Sequence, residues 1–242
     1  MLDLLSRIFQ RNTRYSYLDS QPLWIYEKML TINNTHWLEG VKHVPSPFYD
    51  QRIDSKDISL LVIHNISLPP GQFGGPYIEQ LFTGQLDPEE HPYFGVISGF
   101  RVSAHCLIRR NGDIIQFVPF DCRAWHAGVS QFAGRDKCND YSIGIELEGT
   151  DTLPYTQAQY NMLTELTRVI IHCYPDINAS RITGHEFIAP GRKTDPGFSF
   201  DWRAFKTALL EKWSTKDEKS FCPKLVRPLI SFHSFLLFLT VN

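Results

Sequence analysis

Hydrophobic positions along the chain recur with two distinct periods. Residues 58–65, ISLLVIHN, form a nearly unbroken aliphatic run that stops at His64, the pattern of a central strand covered on both faces. Residues 142–149, SIGIELEG, alternate, with Ile143, Ile145 and Leu147 on one face and Glu146 and Glu148 on the other. Between them, VSAHCLIRRNGDIIQFVPF places apolar stretches on either side of Asn111-Gly112, which predicts a hairpin. The period then changes. Met162, Leu163, Leu166, Val169, Ile170 and Cys173 return at helical spacing, with Thr156 and Gln159 as a capping-box start and Pro175 as a stop. Shorter helices are predicted over YIEQLF, with Pro76 in the first turn, and from about Asp201, where Trp202, Phe205 and Leu209 form an apolar stripe. Strands mixed with helices, without an internal repeat, predict an α+β or mixed α/β class.

At 242 residues, 43% of them hydrophobic, the chain has material for one sizeable core. Its 24 Lys and Arg against 26 Asp and Glu leave no global field to draw nucleic acid or anionic lipid. Cys106, Cys122, Cys138, Cys173 and Cys222 are widely spaced, with no C-x-x-C pair, which fits reduced thiols better than a disulfide framework. The opening residues MLDLLSRIFQ lack the apolar region and cleavage site of a secretory signal, so a cytoplasmic protein is expected. Residues 1 to about 40 show only weak periodicity and read as an extension. The C-terminal run LVRPLISFHSFLLFLTVN is apolar but interrupted by Arg227, Pro228 and His233. It falls short of the roughly 20 residues a spanning helix needs, so it reads as a docking tail or irregular terminus, with a membrane anchor as the alternative.

His64 ends a buried strand, and His185 and Asp195 flank the loop in TGHEFIAPGRKTDPG. Two imidazoles and a carboxylate are a usual zinc donor set when one coordination position is left for water. Taken singly, a histidine is more often structural or superficial, and no H-E-x-x-H places two ligands on one helical face. Glu146 and Glu148 read either as an acid and base pair or as a solvent-facing strand edge. Lys193, two residues before Asp195, would set a cation beside a developing oxyanion. The glycines of GQFGGP lack the lysine and hydroxyl residue of a phosphate-cradling loop. No G-x-S-x-G elbow surrounds Ser103, His105 or Ser142.

Four segments in order, VIHNISLPPGQFGGP, RVSAHCLIRRNGDIIQFVPFDCRAWHAGVSQF, CNDYSIGIELEGTDTLPYT and TGHEFIAPGRKTDPG, resemble the zinc-dependent N-acetylmuramoyl-L-alanine amidases of the phage-lysozyme and peptidoglycan-recognition type. More narrowly, they resemble the cytoplasmic branch that acts on 1,6-anhydro-muropeptides during cell-wall recycling. The resemblance spans residues 37–213, which sets an expected extension at 1–36, one amidase domain at 37–213 and an apolar tail at 214–242. It implies a single domain with a central mixed β-sheet flanked by helices. It also implies zinc held by His64, His185 and Asp195, a catalytic Glu146 and an oxyanion-stabilising Lys193. Asn65, Arg101, Trp125 and Arg192 match positions lining the muropeptide pocket, and His105 and His126 match supporting positions. The implied reaction is hydrolysis of the amide joining the lactyl group of N-acetylmuramic acid to L-alanine in a small muropeptide, by a monomer that needs neither nucleic acid nor stable membrane insertion. Two rivals remain at this stage, a peptidoglycan-binding module and an envelope amidase acting on polymeric wall.

Overall fold

The computed structural model describes residues 30–211. Short outer strands β1 (Lys42–His43) and β2 (Tyr49–Gln51) come first, and the aliphatic run follows as β3 (Leu60–Ile66). Helices α1 (Tyr77–Thr83) and α2 (Pro92–Ile97) precede the hairpin strands β4 (Cys106–Ile108) and β5 (Ile114–Gln116). Next are β6 (Cys122–Ala124) and a small ribbon of β7 (Gln131–Phe132) and β8 (Arg135–Asp136). The alternating run is β9 (Ser142–Glu148) and the capped helix is α3 (Gln157–Cys173). β10 (Ile182–Gly184), α4 (His185–Ile188) and α5 (Trp202–Glu211) complete the described chain.

The main sheet has the order β1-β5-β4-β9-β3-β10. Strands β4, β9, β3 and β10 run parallel, and β5 is antiparallel to β4, so the expected central mixed sheet is present. One face is wholly apolar: Leu61, Ile63, Ile143, Ile145 and Leu147 pack against Leu163, Leu166 and Ile170 of α3 and Phe205 of α5. The other face is divided. Helices α1 and α2 cover Leu107 and Ile115 at one side, while Leu60 and Val62 meet Ala127, Tyr141 and Ile188 at the other. Residues i and i+2 share a face, so His64 follows Leu60 and Val62 onto this second face, and β-pairing sets it opposite Glu146. A polar strip carrying His64 and Glu146 lies between these two apolar clusters.

Strand β3 continues two residues past His64, because its pairing with β9 runs on to Ile66 opposite Glu148. The reading of Glu146 and Glu148 as a solvent-facing edge is corrected, since both are buried. Helix α2 carries no useful periodicity in its six residues; His91 starts it by accepting the Tyr93 N–H, with Pro92 in the first turn. Ile32 and Leu38 are buried and bridge to each other, so the packed body takes in residues ahead of Trp37. Most of the N-terminal extension, the apolar tail and Cys222 lie outside the described residues. Among the described residues no helix is long and apolar enough to cross a membrane.

The capping box of α3 forms as expected, with Thr156 Oγ1 accepting the Gln159 N–H and Gln159 Oε1 accepting the Thr156 N–H, each at 3.1 Å. Buried Gln159 also donates to the carbonyls of Ile108 and Glu148, which fixes the helix start to the ends of β4 and β9. Thr156→Ala is expected to lower stability by about 1 kcal/mol, read as a shift in the urea midpoint at constant slope.

Candidate metal centre and active site

Parallel pairing of β10 with β3 sets Gly184 opposite Ile63, so His185, the next residue, emerges beside His64. The loop after α4 returns Asp195 to the same point, held by the Glu186 N–H donating to the Asp195 carbonyl at 2.9 Å. The Asp195–Pro196 peptide is cis. Two side chains fasten the next turn, with Asn65 Nδ2 at 3.1 Å and the Tyr155 hydroxyl at 2.8 Å from the Pro196 carbonyl. Gly197, at φ 80°, lies so close to Asp151 that an added Cβ would stand 2.2 Å from its Cα, a position only glycine fits.

Three donor atoms converge there. His64 Nδ1 is 3.0 Å from His185 Nδ1 and 2.9 Å from Asp195 Oδ2, and the third side of the triangle is 3.0 Å. In a tetrahedral site with bonds of about 2.0–2.1 Å, donor atoms stand roughly 3.3 Å apart. The triangle is within a few tenths of an ångström of that, so these residues fit a metal ion of this kind. Burial, opposed by Asp195, takes the His64 imidazole down to about 4, which leaves it neutral, as a ligand must be. For Asp195 burial works upward, yet hydrogen bonds to His185 and His64 outweigh it and hold the carboxyl well below the usual range. The far nitrogens are anchored too: His64 Nε2 meets His126 Nδ1 at 2.9 Å, and His185 Nε2 meets the Ala127 carbonyl at 3.1 Å.

Glu146 stands across the sheet from His64, with its Oε2 buried and without a hydrogen-bond partner. Burial first, and the Asp195 charge second, push its carboxyl well above the ordinary value, while the Lys193 charge pulls it back. An unsatisfied, shifted carboxyl beside a donor triangle is the arrangement expected of a working acid or base. Lys193 is exposed, with its backbone N–H on the Ala189 carbonyl, and its charge reaches both Glu146 and His64. Glu148 is different in kind. It accepts from Arg109 Nη1 at 2.6 Å and from the Gly74 and Arg110 N–H groups, so it is a structural anchor rather than half of an acid and base pair.

The other sequence-predicted residues separate into two groups. Arg101 lies 5.7 Å from the ring centres of both Trp125 and Phe48, which stack on each other, so exposed Arg101 and half-buried Trp125 meet at one aromatic shelf. Asn65 and Arg192 are engaged by protein. Asn65 donates to Asp151 and the Pro196 carbonyl, and Arg192 Nη2 donates to the carbonyls of Ala127 at 2.6 Å and Val129 at 2.7 Å. His105 is buried, accepting the Gly144 N–H on Nδ1 and meeting the Cys122 carbonyl through Nε2. Burial, then the Arg52 charge, takes it down to about 3. Sequence reasoning missed Phe48 and Tyr155. Phe48 follows a proline-rich stretch without period, and Tyr155 is legible only once its loop is known to meet Pro196.

Similarity to known proteins gives the class to which this fold belongs, that of an amidase. The family model described as N-acetylmuramoyl-L-alanine amidase matches residues 54–198. The chain belongs to the N-acetylmuramoyl-L-alanine amidase family. Within it the similarity is to the AmpD type. The 1,6-anhydro-N-acetylmuramyl-L-alanine amidase AmpD of Escherichia coli K12 is 64% identical over 179 residues, covering 74% of this chain and 97% of the relative. The Citrobacter freundii AmpD is 62% identical, covering 75% and 96%. A crystal structure of an AmpD derivative superposes with a TM-score of 0.71 at 62% identity, covering 73% of this chain and 98% of the other.

Proposed function

We propose that the chain is a zinc-dependent cytoplasmic amidase that releases the peptide from 1,6-anhydro-N-acetylmuramoyl-L-alanine muropeptides, acting as a monomer. The observation that carries this is the His64, His185 and Asp195 triangle with the unpartnered Glu146 beside it. Zinc, when bound there, supplies a Lewis acid and lowers the pKa of water toward about 7. Glu146 takes the proton from the attacking water and returns it to the leaving amine of L-alanine. Its raised proton affinity suits both halves of that transfer. Lys193, on an exposed side chain, answers the negative charge that grows on the scissile carbonyl oxygen. The shelf of Trp125 and Phe48 presents an apolar face to the bicyclic sugar, and Arg101 beside it offers a planar cation to a peptide carboxylate. Asn65 and Arg192 hold the loops on either side of the donor triangle in place through their contacts with the Pro196 and Ala127 carbonyls, where a muropeptide would meet them.

The similarity to AmpD relatives along nearly their whole length supports the small fragment over polymeric wall as substrate. Cys106, Cys122 and Cys138 are free thiols and buried, which suits a reducing compartment. The test is kinetic. Full-length protein, either zinc-loaded or chelated, is assayed on an anhydromuramoyl peptide and on intact sacculi. Efficient release from the fragment, lost on chelation and restored by zinc, is the expected result. Preference for sacculi would make this an envelope amidase, and full activity in metal-free protein would remove the metal from the mechanism.

A further inference from the structure

We infer that Tyr155 is a positioning residue for the metal centre, its hydroxyl setting the place of Asp195 through the neighbouring Pro196 carbonyl; the inference rests on the zinc reading above. The three donors are held in unequal ways. His64 lies within β3, paired along its length to β9, and His185 opens α4 directly after β10, which pairs with β3. Asp195 lies in the connection between α4 and α5, outside every strand and helix. The place of its carboxylate therefore depends on what holds the loop backbone. On one side the Asp195 carbonyl accepts the Glu186 N–H at 2.9 Å. On the other, Pro196 has no N–H to give, so its carbonyl is the one backbone handle available. That carbonyl accepts from the Tyr155 hydroxyl at 2.8 Å and from Asn65 Nδ2 at 3.1 Å. A carbonyl oxygen only accepts, which fixes the phenol as donor.

The same connection between β9 and α3 holds the rest of the turn. The Ser199 N–H donates to the Asp151 carbonyl at 3.0 Å and Ser199 Oγ to the Thr150 carbonyl at 3.2 Å, while Asp151 Oδ1 accepts from Asn65 at 2.8 Å. Strand β9 runs straight into this connection, so one continuous stretch of chain carries Glu146 and the residue that sets the third donor. The Tyr155 ring is placed by packing that does not need its hydroxyl. It meets Phe200 edge to face at 5.6 Å and Tyr160 at 6.3 Å, and an added Cβ at Gly149 would stand 2.6 Å from its Cε1. Tyr155→Phe therefore removes one oxygen and leaves the ring where it is.

The experiment measures zinc affinity of the full chain by competition with a chromophoric chelator and, separately, the urea midpoint of the chelated protein. Tyr155→Phe is expected to bind zinc about 10-fold more weakly, the lower end of the range for losing a partner that orients a metal ligand. Tyr160→Phe is the control. Its hydroxyl accepts the Asp201 N–H at 2.7 Å within the same aromatic cluster, so one hydrogen bond is lost without a contact on the turn at Pro196, and natural zinc affinity is expected. A merely structural hydroxyl would lower the midpoint of both variants and the affinity of neither. Cobalt(II) in place of zinc adds a spectroscopic readout, because its visible bands follow the geometry of its ligands. Those bands are expected to change in Tyr155→Phe and to keep their natural form in Tyr160→Phe. Natural affinity or natural cobalt bands in Tyr155→Phe, or an equal loss of affinity in Tyr160→Phe, would overturn the inference. Natural protein that binds no zinc would instead overturn the metal reading on which it stands.

Discussion

Glu146→Gln is expected to lower kcat by about 10²- to 10⁴-fold while zinc content stays at one ion per chain. The substitution keeps the shape of the side chain and removes only its capacity to hold and return a proton. No donor triangle atom belongs to Glu146, so the metal site is left whole. Stability gives a second readout with a defined sign. The Glu146 carboxyl is raised in the folded chain, so its contribution is fully present below the unfolded value and is lost as pH rises through the folded one. The glutamine variant lacks that loss. Chelated Glu146→Gln is therefore expected to melt at or above the chelated natural protein, with the difference growing from acid toward neutral pH. Turnover within a few fold of the natural enzyme would remove Glu146 from the chemistry.

Much of this arrangement is written in local sequence because it depends on local rules. The capping box at Thr156 and the helical period to Cys173 specify α3 without reference to the rest of the chain. The Asn111-Gly112 turn specifies the hairpin, although its strands are only three residues each. What the sequence leaves open depends on partners distant in the chain. Alternation in SIGIELEG places Glu146 and Glu148 on one face, but cannot say that Gly74 and Arg109 cover one of them while nothing satisfies the other. Strand β10 is too short to show a period, yet its pairing with β3 is what sets His185 beside His64. The donor residues were legible through resemblance, whereas the contact of His126 with the far nitrogen of His64 comes from a loop 62 residues away in the chain.

The neighbouring glutamate is expected to behave in the opposite way. Glu148→Ala should cost about 3 to 5 kcal/mol of stability, the range for removing one member of a buried ion pair, while kcat per folded molecule stays close to the natural value. Glu148 is 2% exposed in its side chain and Arg109 12%, so the guanidinium would be left partly uncompensated away from water. The Gly74 and Arg110 N–H groups would lose their acceptor at the same time. Arg109 keeps contacts with Glu79 and the Gly75 carbonyl, which moves the expected cost toward the lower end. These bonds tie the loop before α1 and the end of β4 to the last residue of β9, so the damage falls on the fold around α1 rather than on the donor triangle. Urea unfolding of the chelated protein reads the first quantity, and turnover normalised to bound zinc reads the second. A Glu148→Ala protein that unfolds like the natural one yet turns over 10²-fold more slowly would exchange the roles of the two glutamates.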